Sequence, residues 1–96
     1  MIKSFGDRAT SDLFNGLFTK KVKKIPNQIH NSAIRKLDML NAAIELDDLK
    51  SPPGNRLEAL QGDFLGFHSI RINIQWRIIF RWKASGAYEV QIIDYH

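Results

Sequence analysis

Residues 69–83 read SIRINIQWRIIFRWK, and this stretch decides the fold. Every even position is apolar (Ile70, Ile72, Ile74, Trp76, Ile78, Phe80, Trp82), whereas the odd positions carry Arg71, Asn73, Gln75, Arg77 and Arg81, interrupted only by Ile79. Side chains alternate across a strand, so a period of two gives one apolar face and one basic face. The stretch exceeds the roughly 5 to 6 residues of an ordinary strand, which calls for a tight turn near Asn73 to Gln75. A three-residue loop there sets Ile72 opposite Trp76 and keeps both apolar rows on one face. A two-residue loop would set Ile72 opposite Arg77. The expectation is therefore a β-hairpin with an odd loop, whose outer face gathers Arg71, Arg77, Arg81 and Lys83.

Outward from the hairpin, composition sets the limits. Ninety-six residues with 44% hydrophobic content make one small domain, residues 1–96, with a single modest core. The absence of cysteine excludes a disulfide scaffold and a thiolate metal site, and it fits a reducing cytoplasm. No window approaches the roughly 18 consecutive apolar residues of a membrane span, and no export signal opens the chain, so a soluble cytoplasmic protein without a membrane partner is expected. A net charge of +4 with a pI near 9.6 suits polyanionic partners, although solubility alone also accounts for such a charge.

The remainder of the chain supplies helices first and strands last. Ile2, Ser4 and Phe5 suit a short strand, Ser4 or Asp7 suits a helix cap, and a helix over residues 7–14 turns Ala9, Leu13 and Phe14 inward until Asn15 and Gly16 end it. Leu17 and Phe18 are expected to dock the connecting segment. Lys20, Lys21, Lys23 and Lys24 then form a run read either as a solvated linker or as a phosphate-contacting patch. Pro26 and Asn27 open a long amphipathic helix whose stripe is Ile29, Ala33, Leu37, Leu40 and Ile44. Residues 51–55, SPPGN, end the helical region as a connector. Residues 56–60 alternate as a strand, with Arg56 and Glu58 on one side. Residues 61–66 form a turn, and residues 87–95 make the last strand with Tyr88, Val90 and Ile92 on one face. The order β, α, α, β, β, β, β defines an α+β fold: a small twisted antiparallel sheet with two helices on one face. Its second face carries Arg71, Arg77 and Arg81, with Glu58 a candidate for the same face, and this excess of arginine over matching carboxylates marks an anion site.

Among groups able to do chemistry, His30 and His68 have no second ligand at metal spacing and read as ordinary histidines, so neither a metal site nor a cofactor is expected. Asp94, Tyr95 and His96 form a terminal cluster of proton-transfer groups. Acid and base groups beside arginines suit RNA cleavage: a base takes the ribose 2′-hydroxyl proton, an acid protonates the leaving 5′-oxygen, and a guanidinium holds the phosphate. Histidine suits the acid role and arginine the phosphate.

Three blocks, SPPGNRLE, the hairpin's SIRIN with QWRI, and the terminal DYH, occur here in an order that resembles the HigB branch of the RelE/ParE toxin superfamily, the plasmid maintenance system killer proteins. The opening MIKSF and the helix ending AAIELDDLK resemble it too, so the likeness spans the chain. The resemblance implies a RelE-like fold and a ribosome-dependent mRNA endonuclease that arrests translation. It also implies neutralisation by a HigA-like helix-turn-helix antitoxin, through which alone the toxin meets operator DNA. By position it makes Asp94, Tyr95 and His96 the catalytic tail and Arg77 the arginine on the scissile phosphate. Arg56, Arg71, Arg81 and the four lysines are then candidate RNA contacts. Where some members carry a histidine before the glycine turn this chain has Glu58, and where some carry a lysine two or three residues further on it has Gln61; the departure reads either as Glu58 for the base with His96 for the acid, or as slower chemistry than in those relatives. Two other readings remain: a ParE-like inhibitor that binds DNA gyrase, and a basic RNA-binding domain without catalysis.

Overall fold

The hairpin forms in the expected register. In the computed structural model, which describes residues 1–95, strand β2 (His68–Arg71) pairs antiparallel with β3 (Trp76–Lys83), and Arg71 lies opposite Arg77. The Ile72 N–H donates to the Trp76 carbonyl at 2.9 Å, which closes a loop of three residues. Asn73 makes the turn, its Oδ1 accepting from the N–H groups of Gln75 and Trp76 at 2.8 and 2.7 Å. Ile74 belongs to the even row by parity but sits at the tip, 89% exposed.

Strands β1 (Glu58–Ala59) and β4 (Gly86–Asp94) complete an antiparallel sheet in the order β1-β2-β3-β4. β1 is shorter than expected because Arg56 adopts a left-handed conformation, φ 45°, that no strand continues through. The opening segment is not a full strand either. Ile2 and Phe5 make isolated parallel bridges to Ala87 and Val90 along the outer edge of β4.

A bulge corrects the reading of the last strand. Ile79 faces Gln91 but Arg81 faces Tyr88, so Glu89 and Val90 together oppose Phe80, and Glu89 takes φ 53°. The extra residue reverses the parity of everything before it. Ala87 therefore joins the helix-side core opposite Trp82, and Tyr88 turns to the arginine side rather than sharing a face with Val90 and Ile92.

Helix α1 (Arg8–Phe14) starts where Asp7 Oδ1 accepts the Thr10 N–H at 2.9 Å and ends at Asn15, with Gly16 at φ 74°. Thr10 is fully buried, and its Oγ1 accepts the Ile92 N–H at 2.9 Å, fastening α1 to β4. Helix α2 (His30–Ala42) buries Ala33, Leu37 and Leu40 against Ile70, Ile78, Phe80 and Val90, with Ile29 just ahead of it. The stripe stops one turn early. At Ala43 the backbone extends, so Ala43 goes in and Ile44 is 72% exposed. A 3-10 turn, Leu46–Lys50, follows, capped reciprocally by Glu45 and Asp48. Leu17 and Phe18 do not dock; both are exposed. The SPPGN segment is more than a connector, because Asn55 is fully buried, donates to the Leu49 carbonyl at 3.1 Å and accepts from Lys36 Nζ at 2.5 Å. No helix among the described residues is long and apolar enough to cross a membrane.

Candidate active site

The sheet face away from the helices holds the site, and strand parity assembles it. Glu58 pairs with Ser69 and Arg71 with Arg77, which puts these four side chains on one face. Arg77 is the centre: only 6% exposed, it gives Nη2 to Glu58 Oε1 at 2.5 Å and Nη1 to the Ser69 hydroxyl and, at 3.5 Å, to the Arg56 carbonyl. Its guanidinium carbon lies 5.3 Å from the centre of the Tyr95 ring. Arg71 stands directly across the ladder, with Nε buried and without a hydrogen-bond partner among the described residues. Two guanidiniums on opposed positions repel one another. Glu58 offsets one of them, and an anion seated between the arginines would offset the other.

The expectation that the arginines of this face have no matching carboxylates is thus corrected twice. Arg77 pairs with Glu58, whose side chain is 51% exposed, and Arg81 Nε pairs with Glu89 at 3.0 Å. The bulge supplies the second pair by turning Glu89 out of the ladder. Arg81 also lies over the Phe67 ring, 4.2 Å from its centre, and crowds Gly66, where a Cβ would come within 2.6 Å of Arg81 Nη1. Ile79, between Arg77 and Arg81 on β3, is buried on this same face, and Leu60 is buried just beyond β1.

The terminal tail is held by the hairpin turn. Gln75 Nε2 donates to Asp94 Oδ2 at 3.0 Å, and the Gln75 carbonyl accepts the Tyr95 N–H at 2.8 Å. Tyr95 accordingly reaches the arginine face. Asp94 pairs with Trp76, on the helix-side parity, so the sheet separates Asp94 from Arg77. His96, the expected acid, lies outside the described residues. Arg56 is exposed beside the site and contributes its carbonyl to Arg77. Lys20, Lys21, Lys23 and Lys24 are exposed in the helical layer, around the buried Val22, and are not brought together with Arg77. His30 is satisfied by the Ile25 carbonyl at 2.8 Å, whereas His68 stacks on Phe80 with Nδ1 buried and without a hydrogen-bond partner among the described residues. Among the described residues no cluster of His, Cys, Asp or Glu is placed to hold a metal ion. Sequence reasoning missed Ser69 and Gln75. Ser69 shares the odd parity of the arginines, and Gln75 adjoins the turn, so parity pointed to both.

A small α+β domain with two helices behind a four-stranded antiparallel sheet, and an arginine site fed by the sheet's terminal strand, is the architecture of RelE-like toxins. The chain belongs to the HigB-like toxin family, described as the RelE-like toxin of the type II toxin-antitoxin system HigB, whose model matches residues 3–96. It is 49% identical over 68 residues to Toxin HigB-1 of Vibrio cholerae serotype O1, covering 71% of this chain and 72% of that one. It is 32% identical over 96 residues, the full length of both chains, to Endoribonuclease HigB of Proteus vulgaris. Among solved structures the fold is similar to YafQ of E. coli strain BL21(DE3), with a TM-score of 0.63, 13% identity, and 98% and 93% of the two chains covered. It is also similar to a chain of the YoeB-YefM complex of Staphylococcus aureus, with a TM-score of 0.59, 11% identity, and 100% and 98% covered.

Proposed function

We propose that this protein is the cytoplasmic toxin of a type II toxin-antitoxin pair, an endoribonuclease that cuts messages in the ribosomal decoding site and is neutralised by a HigA-like helix-turn-helix antitoxin. One observation carries the reading. A buried guanidinium, Arg77, is braced by Glu58, Ser69 and Tyr95 beside a second arginine whose Nε–H has no partner among the described residues, which suits a phosphate seat with a carboxylate at its rim. The name of the Proteus vulgaris relative, Endoribonuclease HigB, supports the same chemistry.

In this reading Glu58 removes the proton from the ribose 2′-hydroxyl, and the resulting oxygen attacks the adjacent phosphorus. Arg77, with Arg71 across the ladder, takes the charge on the phosphate oxygens. His96 protonates the 5′-oxygen as it leaves, giving a cyclic phosphate on one fragment and a free 5′-hydroxyl on the other. The nucleophile belongs to the RNA, so the scheme calls on no metal or cofactor. Tyr95 lies over Arg77 and borders the substrate, while Asp94, fastened by Gln75, holds the tail that carries Tyr95 and His96. Arg56 and Arg81 flank the message path.

The test is a cleavage assay on ribosomes programmed with a defined message, with 5′ ends mapped. Cuts at fixed codon phase that require the ribosome are expected, and Glu58→Ala and His96→Ala should each slow them at least about tenfold. Full activity after either change removes that residue from the scheme. DNA breaks without message cuts would favour a ParE-like gyrase inhibitor, and message binding without cuts would favour a non-catalytic RNA-binding domain.

A further inference from the structure

The helical layer carries a surface that the site does not use. Between the end of α1 and the start of α2 lies an apolar groove lined by Leu13, Leu17, Phe18, His30 and Ile34. Phe18 stands at its edge, 90% exposed, and Leu17 is exposed beside it. A 96-residue domain with little core to spare loses burial by leaving a phenylalanine and a leucine adjacent in water, and paired exposed apolar side chains beside a groove mark a contact site. The residues that follow Phe18 decide the kind of partner. Immediately after Phe18 and Thr19 the chain turns through Val22–Lys24, with Val22 and Ile25 anchored in the core and Lys20, Lys21, Lys23 and Lys24 all projecting to solvent.

We propose that this groove is the docking site for an acidic, amphipathic segment of the antitoxin: a large apolar side chain enters between Leu13 and Ile34 against Phe18, and carboxylates along the segment meet the exposed lysines that follow Phe18 in the chain. The inference rests on the toxin-antitoxin reading above and adds the surface and the chemistry of the contact. An RNA occupant fits less well. Phosphates would satisfy the lysines and a base could stack on Phe18, but a groove lined largely by Leu13, Leu17, Phe18 and Ile34 accepts a hydrocarbon side chain, which a nucleotide lacks. The lysine run accordingly serves partner attraction, while the message is held on the opposite face of the sheet.

Phe18 is exposed and outside the core, so Phe18→Asp leaves the fold intact. The probe is the protein encoded by the gene beside this one, purified and titrated against the full chain. Phe18→Asp should weaken that complex at least about tenfold, as loss of a central apolar anchor does. It should leave ribosome-dependent cleavage at the wild-type rate and make the toxin resistant to neutralisation in cells. Reversing Lys23 and Lys24 to glutamate should slow association about tenfold or more at low salt, the difference shrinking as salt is raised. Unchanged affinity of Phe18→Asp overturns the docking site. Intact affinity with lost cleavage also overturns it, since the surface would then meet the ribosome. If the wild-type chain itself fails to bind its neighbour's product, the toxin-antitoxin reading fails and the docking site falls with it.

Discussion

Arg77 is held in a way that few surface cations are. Its two terminal nitrogens go to different acceptors, Nη2 to Glu58 and Nη1 to Ser69 and the Arg56 carbonyl, and the tyrosine ring of the tail lies against the same group. A planar fork fits such divergent acceptors and a lysine ammonium does not, so Arg77→Lys keeps the charge and loses the geometry. We expect Arg77→Lys to lower the cleavage rate at least about tenfold, with the thermal midpoint moving by only a few degrees. The stability change is small because lysine leaves a cation beside Glu58 and the half-exposed Glu58 side chain keeps its contact with water. Cleavage at the wild-type rate would remove phosphate positioning from Arg77. Parity placed Arg71 and Arg77 on one face from the sequence alone, and the Glu58–Ser69 register adds Glu58 to it. The bracing serine was harder to see, because a serine in a strand is unremarkable until the register sets it diagonally across from an arginine.

The elements show where pattern stops being informative. The hairpin was legible down to its loop length because alternation continues through both strands and only an odd loop keeps the two apolar rows together. The bulge in β4 was not: GAYEVQIID alternates well enough to pass as regular, and only Glu89 at positive φ betrays the inserted residue. The end of α2 was missed for a similar reason. The residues after Ala42 retain apolar spacing, but Glu45 and Asp48 cap a new 3-10 turn and the helix ends before it. Asp48 makes this turn pH-sensitive. Its carboxylate accepts the N–H groups of Glu45 and Ile44, each at 3.0 Å, and these bonds hold its pKa below the usual carboxylate value, the Glu45 bond contributing most. A depressed folded-state pKa means the contribution is complete above the unfolded value, about 3.9, and disappears as pH falls through the lower folded value. Asp48→Ala should therefore melt below wild type at neutral pH, and the gap between the two melting curves should close as pH falls below the ordinary carboxylate range. A gap that persists undiminished in acid would show that Asp48 acts by something other than its charge.

At the scale of the whole molecule the chain divides its tasks between the two sides of one sheet. The helix side holds the core, from Leu37 and Leu40 to Ile78 and Phe80, and the second side holds Glu58, Ser69, Arg71 and Arg77. The amphipathic stripes made the first side legible, whereas on the second the Arg81–Glu89 pair depended on a bulge that no periodicity encodes. The division has a consequence for the terminus. Ile92 is the last residue in the core, and beyond it the described tail is held by the hairpin turn, through the Gln75 bonds to Asp94 and Tyr95, and by the final ladder pair with Trp76. Deleting residues 94–96 removes hydrogen bonds from an exposed edge, each contributing about 1 kcal/mol net, without opening a cavity. For a domain of this size each kilocalorie shifts the midpoint by about 4–8 °C. The truncated chain should thus unfold in one cooperative transition within about 15 °C of the full chain and still bind the antitoxin, while message cleavage falls to background. Calorimetry, the antitoxin titration and the programmed-ribosome assay on the same preparation decide it. Loss of cooperative unfolding would mean that the tail is part of the fold, and persistent cleavage would mean that the chemistry lies elsewhere on the arginine face.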